Sequence, residues 1–245
     1  MQSLSIMGVN ISVTDIDRVM RLIYENRDEW RGRYICVSNV HTTVMASENE
    51  KYRDIQNRAV MALPDGAPLS AFCRSHGFPK AERVAGPDLF KRMLASGQEM
   101  PLRHYLYGST EETLRLLNEK ISTAYPSAVI CGSMSPPFRE LNAKEDASAV
   151  EAINAAKPDI VWVGLGAPKQ EIWMASHEGR INALMIGVGA AFDYEAGNIK
   201  RPPLIVQRLS LEWFYRLLQD PGRLFKRYLV TNTKFMAWTL KQRRA

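Results

Sequence analysis

Pro64-Asp65-Gly66 follows the apolar run Val60 to Leu63, and an aspartate held between proline and glycine has two uses. It closes a tight turn, which suits all three residue types, or it serves as a general base on a loop. Gly164-Leu165-Gly166-Ala167-Pro168 follows a second apolar run. Its glycines permit a tight turn, Pro168 suits the first turn of a helix, and free amides at a helix start face an anion well. Lys169 stands where the third glycine of a dinucleotide fingerprint would fall, which argues against a nicotinamide or flavin cofactor. By shape alone the segment is an ordinary strand-to-helix turn or a phosphate cradle. Gly108-Ser109-Thr110-Glu111-Glu112 poses the same choice, because Ser or Thr followed by Glu also caps a helix. Asp15-Ile16-Asp17 spells a paired-carboxylate metal pattern, but Thr14 before it reads as an N-cap, and acids in a first helical turn favour the macrodipole. His41, His76, His104 and His177 show no metal-ligand spacing with Cys36, Cys73 and Cys131, so neither a metal nor a cofactor is expected.

These residues need a scaffold, and the sequence supplies the rhythm of one. Short apolar runs lie at Tyr34 to Val37, Val60 to Leu63, His104 to Tyr107, Ala128 to Ile130, Ile160 to Val163 and Leu184 to Val188. Helical patterns lie between them, as at Glu111 to Tyr125 and Pro168 to Gly179. This alternation predicts an α/β fold, a Rossmann-like and mostly parallel sheet with helices on both faces. Ligands of such sheets sit beyond the carboxyl ends of the strands. The candidates are therefore Ser38-Asn39-Val40-His41, Asp65, Gly108 to Thr110, Gly164 to Glu171 with Gln170 among them, and Gly187, Gly189 and Asp193.

At 245 residues, 46% of them hydrophobic, the chain suits one large domain or one domain with an appendage. No apolar run reaches the roughly 18 to 20 residues that span a bilayer. The first residues show neither a basic segment nor a long apolar stretch, so no secretory signal is expected. Three widely spaced cysteines suit a reducing compartment, and a cytoplasmic location follows. The net charge of +6 is unevenly placed: residues 200–245 hold eleven Lys or Arg against Glu212 and Asp220, leaving residues 1–199 slightly acidic. The change falls near Lys200-Arg201-Pro202-Pro203, which divides a domain of residues 1–199 from an appendage of residues 200–245. On a helix, Arg227, Lys234 and Lys241 form one stripe, and Phe225, Leu229, Met236 and Leu240 form another on the opposite side. That pattern fits a helix lying on an anionic membrane surface, or a helix packed on its own domain with a solvated basic face. A nucleic-acid partner is disfavoured, because the acidic remainder lacks a broad basic footprint.

Five segments in order resemble the WecG/TagA/CpsF group, glycosyltransferase family 26. They are Pro64-Asp65-Gly66, Arg83-Val84-Ala85-Gly86-Pro87-Asp88-Leu89, Gly164 to Glu171, Gly187 to Asp193, and Leu211 to Leu218 followed by Asp220-Pro221. Together they cover most of the chain, from about Val37 to Tyr228. The resemblance implies an inverting, metal-independent transferase that moves a sugar from a UDP-sugar donor to a polyprenyl-diphosphate-linked sugar acceptor in bacterial surface polysaccharide synthesis. The sugars such enzymes transfer are N-acetylmannosamine, its uronic acid or glucose. By the same resemblance Asp65 is the catalytic base, Asn39 and Gln170 hold the sugars, and Arg83 contacts the donor diphosphate. Arg216, Arg223 and Arg227 match an appendage that brings arginines to the active site and attaches the enzyme to the inner face of the cell membrane. A different class remains open, a non-catalytic nucleotide-sugar-binding protein that docks on a membrane or a partner through its basic tail.

Overall fold

A computed structural model of the chain describes residues 1–203, 205–206 and 211–242, without the Arg223 side chain. The chain opens with a hairpin of β1 (Ser3–Ile6) and β2 (Val9–Ser12), which the reading of apolar runs above did not include. Its signal is short but present. Leu4 and Ile6 alternate with serines, and the connection Met7-Gly8 has positive φ at both residues, as a two-residue hairpin turn requires. Next, α1 (Ile16–Glu25) is capped by Asp15, whose side chain accepts the Arg18 N–H at 2.8 Å. The cap is thus Asp15 rather than Thr14, and Asp15 does local backbone work.

All six apolar runs are strands: β3 (Tyr34–Ser38), β4 (Met61–Pro64), β5 (Arg103–Gly108), β6 (Val129–Met134), β7 (Ile160–Gly164) and β8 (Leu184–Gly187). They pair in parallel in the order β4-β3-β8-β7-β5-β6. Successive side chains of a strand point to opposite faces, and the core divides accordingly. Ile35, Leu63, Leu106, Trp162 and Ile186 bury with α1, α5 (Gly86–Ala95) and α6 (Glu111–Ala124) on one face. Tyr34, Cys36, Tyr107, Val161 and Met185 bury on the other with Ile153 of α7 (Ala143–Ala155) and Met174 of α8 (Lys169–Ser176). The chain leaves β5 toward β6 and leaves β7 toward β8, in opposite directions, so a crevice opens beyond the carboxyl ends of these neighbours.

Gly108 and Gly164 end those two strands as register partners. Gly108 has φ +121°, and a Cβ there would stand 2.7 Å from the Gly164 carbonyl. A Cβ on Gly164 would stand 2.6 Å from the Phe192 ring. Close packing therefore accounts for both glycines.

The tail forms α10 (Glu212–Gln219) and the 22-residue α11 (Pro221–Gln242). α11 lies on α2 (Val40–Glu48), with Phe235 and Trp238 entering a cluster that holds Val44, Leu69 and Phe72. Leu224 and Thr231 share that covered side. This buried stripe is a third one, distinct from the two read in the sequence. The stripe of Phe225, Leu229, Met236 and Leu240 stays uncovered, each residue more than half exposed. The basic stripe flanks the buried one: Lys234 pairs with Glu48, and Arg227 faces a cavity, so these two cations turn toward the body rather than outward. Among the described residues no helix is long and apolar enough to cross a membrane.

Candidate active site

A cavity of about 1720 Å³ lies beyond the carboxyl ends of β3, β4, β7 and β8, and α10 and α11 form its far wall. Asn39, Asp65, Arg83, Gly164, Gly166, Gln170, Asp193, Arg216 and Arg227 all line it. Gly108 stands behind, while its neighbours Ser109 and Thr110 reach the cavity. The Arg223 side chain lies outside the described residues.

Asp65 begins the loop after β4. Its N–H donates to the Ser38 carbonyl at 2.7 Å, and Gly66 then opens α4 (Ala67–Ser75) with φ +103°. The backbone thus makes the turn and leaves the carboxylate to the cavity, so the turn does not exclude the functional reading of Pro64-Asp65-Gly66. Arg83 reaches the same place from the loop before α5. The next residue, Val84, donates its N–H to the Pro64 carbonyl at 2.9 Å, which ties that loop to the end of β4. The Arg83 Nε stands 3.5 Å from Asp65 Oδ1. Its two terminal nitrogens donate to Glu212 of α10, Nη1 to Oε1 at 3.1 Å and Nη2 to Oε2 at 2.6 Å. Burial raises the Asp65 carboxyl above the usual carboxylate range, Arg83 opposes that rise, and Glu212 and Asp88 add to it. Asp88 is itself paired with Arg201 at 2.6 Å.

Asn39 caps α2. Its side chain accepts the Thr42 N–H at 3.2 Å, and its own N–H donates to Thr42 Oγ1 at 2.9 Å, so the start of α2 opens on the cavity. His41 sits in that first turn with a buried Nδ1 that has no partner among the described residues, and the buried Arg227 Nε has none either. Burial, and secondarily the Arg227 charge, lower the His41 pKa. Neutral His41 therefore prevails at neutral pH, and Arg227 brings a guanidinium to this wall. Arg216 stands across from the first turn of α9 (Ala191–Ala196), its guanidinium carbon 5.8 Å from the centre of the Tyr194 ring. Asp193 lies in that turn and accepts from Asn198 Nδ2 at 3.4 Å. Thr110 caps α6 by accepting the Thr113 N–H at 3.1 Å, so the capping role of Gly108-Ser109-Thr110 is met.

Gln170 has a structural task. Its Oε1 accepts the N–H of Gly166 at 3.2 Å and of Gly189 at 3.0 Å, bridging the loops after β7 and β8. Its Nε2 donates to Glu171 Oε1 at 2.8 Å, and the Tyr52 hydroxyl holds Glu171 Oε2 at 3.1 Å. The Gly166 and Gly189 amides are thereby occupied and are not free to face an anion. Gln170→Ala removes the side-chain acceptor of two part-buried amides, and each lost hydrogen bond costs about 1 kcal/mol. A fall in urea unfolding midpoint with unchanged slope is the expected result.

Sequence reasoning missed Glu212 as a site residue. It entered only as a subtraction from the charge of the tail, although it lies inside the Leu211 to Leu218 segment.

The sequence model of the Glycosyl transferase WecG/TagA/CpsF family matches residues 4–245. The chain is similar to the N-acetylglucosaminyldiphosphoundecaprenol N-acetyl-beta-D-mannosaminyltransferase of Bacillus spizizenii, 30% identical over 219 residues that cover 89% of this chain and 82% of the relative. The protein of the same name from Bacillus subtilis is 32% identical over 203 residues, 82% of this chain and 77% of the relative. That from Staphylococcus aureus is 30% identical over 192 residues, 78% and 74% respectively. A cavity at the carboxyl edge of a parallel sheet, with the Asp65 carboxylate near an arginine-bearing tail, suits sugar transfer to a hydroxyl, and the match runs through both the sheet and the tail: the chain belongs to the WecG/TagA/CpsF family of glycosyl transferases.

Proposed function

We propose that the protein transfers a sugar, with inversion, from a UDP-sugar to a sugar carried on a polyprenyl diphosphate, at the cytoplasmic surface of the membrane. The observation that carries this reading is the division of the cavity. One side presents the Asp65 carboxylate, and the tail presents Arg216 and Arg227. Asp65 takes the proton of the acceptor hydroxyl as its oxygen attacks the anomeric carbon from the face opposite the leaving group. The bond to the UDP oxygen breaks, the transition state is oxocarbenium-like by analogy with glycoside hydrolysis, and negative charge grows on the departing diphosphate. Fixed guanidinium groups meet that charge without reorganising. The names of the relatives support N-acetylmannosamine as the donor sugar and an N-acetylglucosaminyl diphosphate lipid as the acceptor.

Membrane attachment is part of the proposal. Phe225 and Leu229 of α11, with exposed Phe214 and Leu218 of α10, give the tail an apolar face beside its cations, while exposed Trp213, Met236 and Leu240 also line the cavity. Each cation near an anionic surface contributes about 1 kcal/mol. The tail carries residues of the cavity wall, so lipid contact that holds the tail in place also supports the site.

The test is UDP release from a panel of UDP-sugars, with a short-chain polyprenyl-diphosphate N-acetylglucosamine as acceptor, in EDTA. Acceptor-dependent release from one donor is expected, faster when the acceptor is embedded in anionic vesicles than when it is free. Equal turnover on soluble and vesicle-borne acceptors would remove the membrane from the mechanism. No release from any donor would favour a binding protein.

A further inference from the structure

Glu212 is one of two acids among the 46 residues from Lys200 onward, which hold eleven cations. In so basic a segment an acid finds cations close by, yet Glu212 reaches out of the tail to a residue of the sheet domain. Its carboxylate and the Arg83 guanidinium meet as two forks, with both terminal nitrogens of Arg83 engaged. Each side chain keeps about a quarter of its surface exposed. Planar, bidentate pairs of this kind fix orientation as well as contributing energy. The nitrogen left over, Nε, is the one that faces Asp65.

We propose that Glu212 is a positioning residue for the catalytic base: by holding both ends of the Arg83 guanidinium, it leaves only the Nε edge to Asp65 and couples the seating of α10 to the basicity of that carboxylate. The inference rests on Asp65 being the base. It assigns Arg83 to the base rather than to the donor diphosphate, and leaves the diphosphate to Arg216 and Arg227. It also gives the tail two contributions to catalysis, an acid acting through Arg83 and the arginines that face the leaving group.

The physical argument concerns a shared cation. The groups facing Asp65 are Arg83 from the loop before α5, Asp88 from α5 with its partner Arg201, and Glu212 from α10. Arg83 attached to Glu212 offers Asp65 one long contact; Arg83 released from Glu212 is free to turn its fork onto Asp65. A full pair favours the ionised carboxylate and weakens it as a base. Loss of the Glu212 negative charge acts in the same direction. The acid limb of the kcat/KM profile, which reports the base in the free enzyme, then moves to lower pH, and the plateau falls because a weaker base removes the proton less readily.

The experiment compares wild type, Glu212→Gln, Glu212→Asp and Asp65→Asn as full-length proteins on vesicle-borne acceptor, with pH profiles, thermal unfolding and vesicle co-sedimentation. The expected result for Glu212→Gln is an acid limb at lower pH and a plateau lower on the order of tenfold, a small part of the factor a general base supplies. Its melting temperature and vesicle binding stay near wild type, and Glu212→Asp, which keeps the charge, returns the limb toward the wild-type position. An unmoved limb overturns the proposal, whether turnover is retained or falls together with the melting temperature. A lower KM for the donor with an unchanged limb also overturns it, because Glu212 then merely competes with the diphosphate for Arg83. Asp65→Asn separates the two levels. If it keeps full turnover, the assignment of the base fails; if it is inactive and the Glu212→Gln limb is unmoved, only the positioning role fails.

Discussion

Asp65→Asn lowers kcat/KM by about 10²–10⁴, the contribution of a positioned general base. The amide keeps the size of the side chain and cannot take the acceptor proton. The same change leaves the fold at least as stable at neutral pH. A carboxyl whose pKa is raised by burial disfavours folding in its ionised form, so its cost is present above the folded pKa and disappears as pH falls through it. A neutral isostere removes that cost, and Arg83 retains Glu212 as its partner. Activity and stability therefore move apart, which a packing defect would not produce. In the wild type the active form is the ionised one, so turnover falls as pH drops through a value above the usual carboxylate range. A variant with both low activity and a lower melting temperature would assign Asp65 to the turn instead.

Arg216→Ala has the second largest expected effect, a loss on the order of 10²-fold in kcat, as for removal of one donor aimed at developing negative charge. The residue lies on α10, lines the cavity opposite α9 and stacks near the Tyr194 ring. Arg216→Lys recovers only part of the loss, because an ammonium is a single point of charge where a diphosphate oxygen pair suits a planar fork. Measured on vesicle-borne acceptor with the melting temperature of the body in parallel, the loss appears in turnover with little change in stability, since Arg216 is only half-buried. An effect confined to vesicle binding, with kcat unchanged once bound, would place Arg216 in attachment alone.

The six strands of the sheet were legible because each is an apolar run rich in β-branched or aromatic residues that ends in a polar or glycine turn. The N-terminal hairpin was not, because its strands, Ser3-Leu4-Ser5-Ile6 and Val9-Asn10-Ile11-Ser12, break their apolar residues with serine and asparagine and form no continuous apolar run. The cavity residues after β3, β4, β7 and β8 were legible through the rule that ligands gather at carboxyl ends. Gln170 shows where that rule stops. Its position after β7 marks it as a candidate, but only the distance to the amides of Gly166 and Gly189 shows that its carbonyl ties two loops together. Likewise the glycines at 108 and 164 fit a phosphate loop by pattern, but by contact Gly108 gives way to the Gly164 backbone and Gly164 to the Phe192 ring.

The tail gives the clearest contrast. A stripe every three or four residues states that a helix has faces, and α11 has three: buried, basic and apolar. Which face the body covers depends on what surface the body offers, and that surface is assembled from α2, α4 and β2, distant in sequence. The side chains of Phe235 and Trp238 fill it, Arg227 and Lys234 are carried inward beside them, Met236 and Leu240 border the cavity, and Phe225 and Leu229 are left outside. The sequence by itself determined the parallel α/β sheet, the carboxyl edge as the site, and a basic amphipathic tail, because local periodicity and strand chemistry are written in neighbouring residues. Only the tertiary structure decided that Glu212 meets Arg83, 129 positions away, and that both stand at Asp65. Charge counts register such an acid only as a subtraction, since a pair across that separation forms when the chain has folded and no local pattern encodes it.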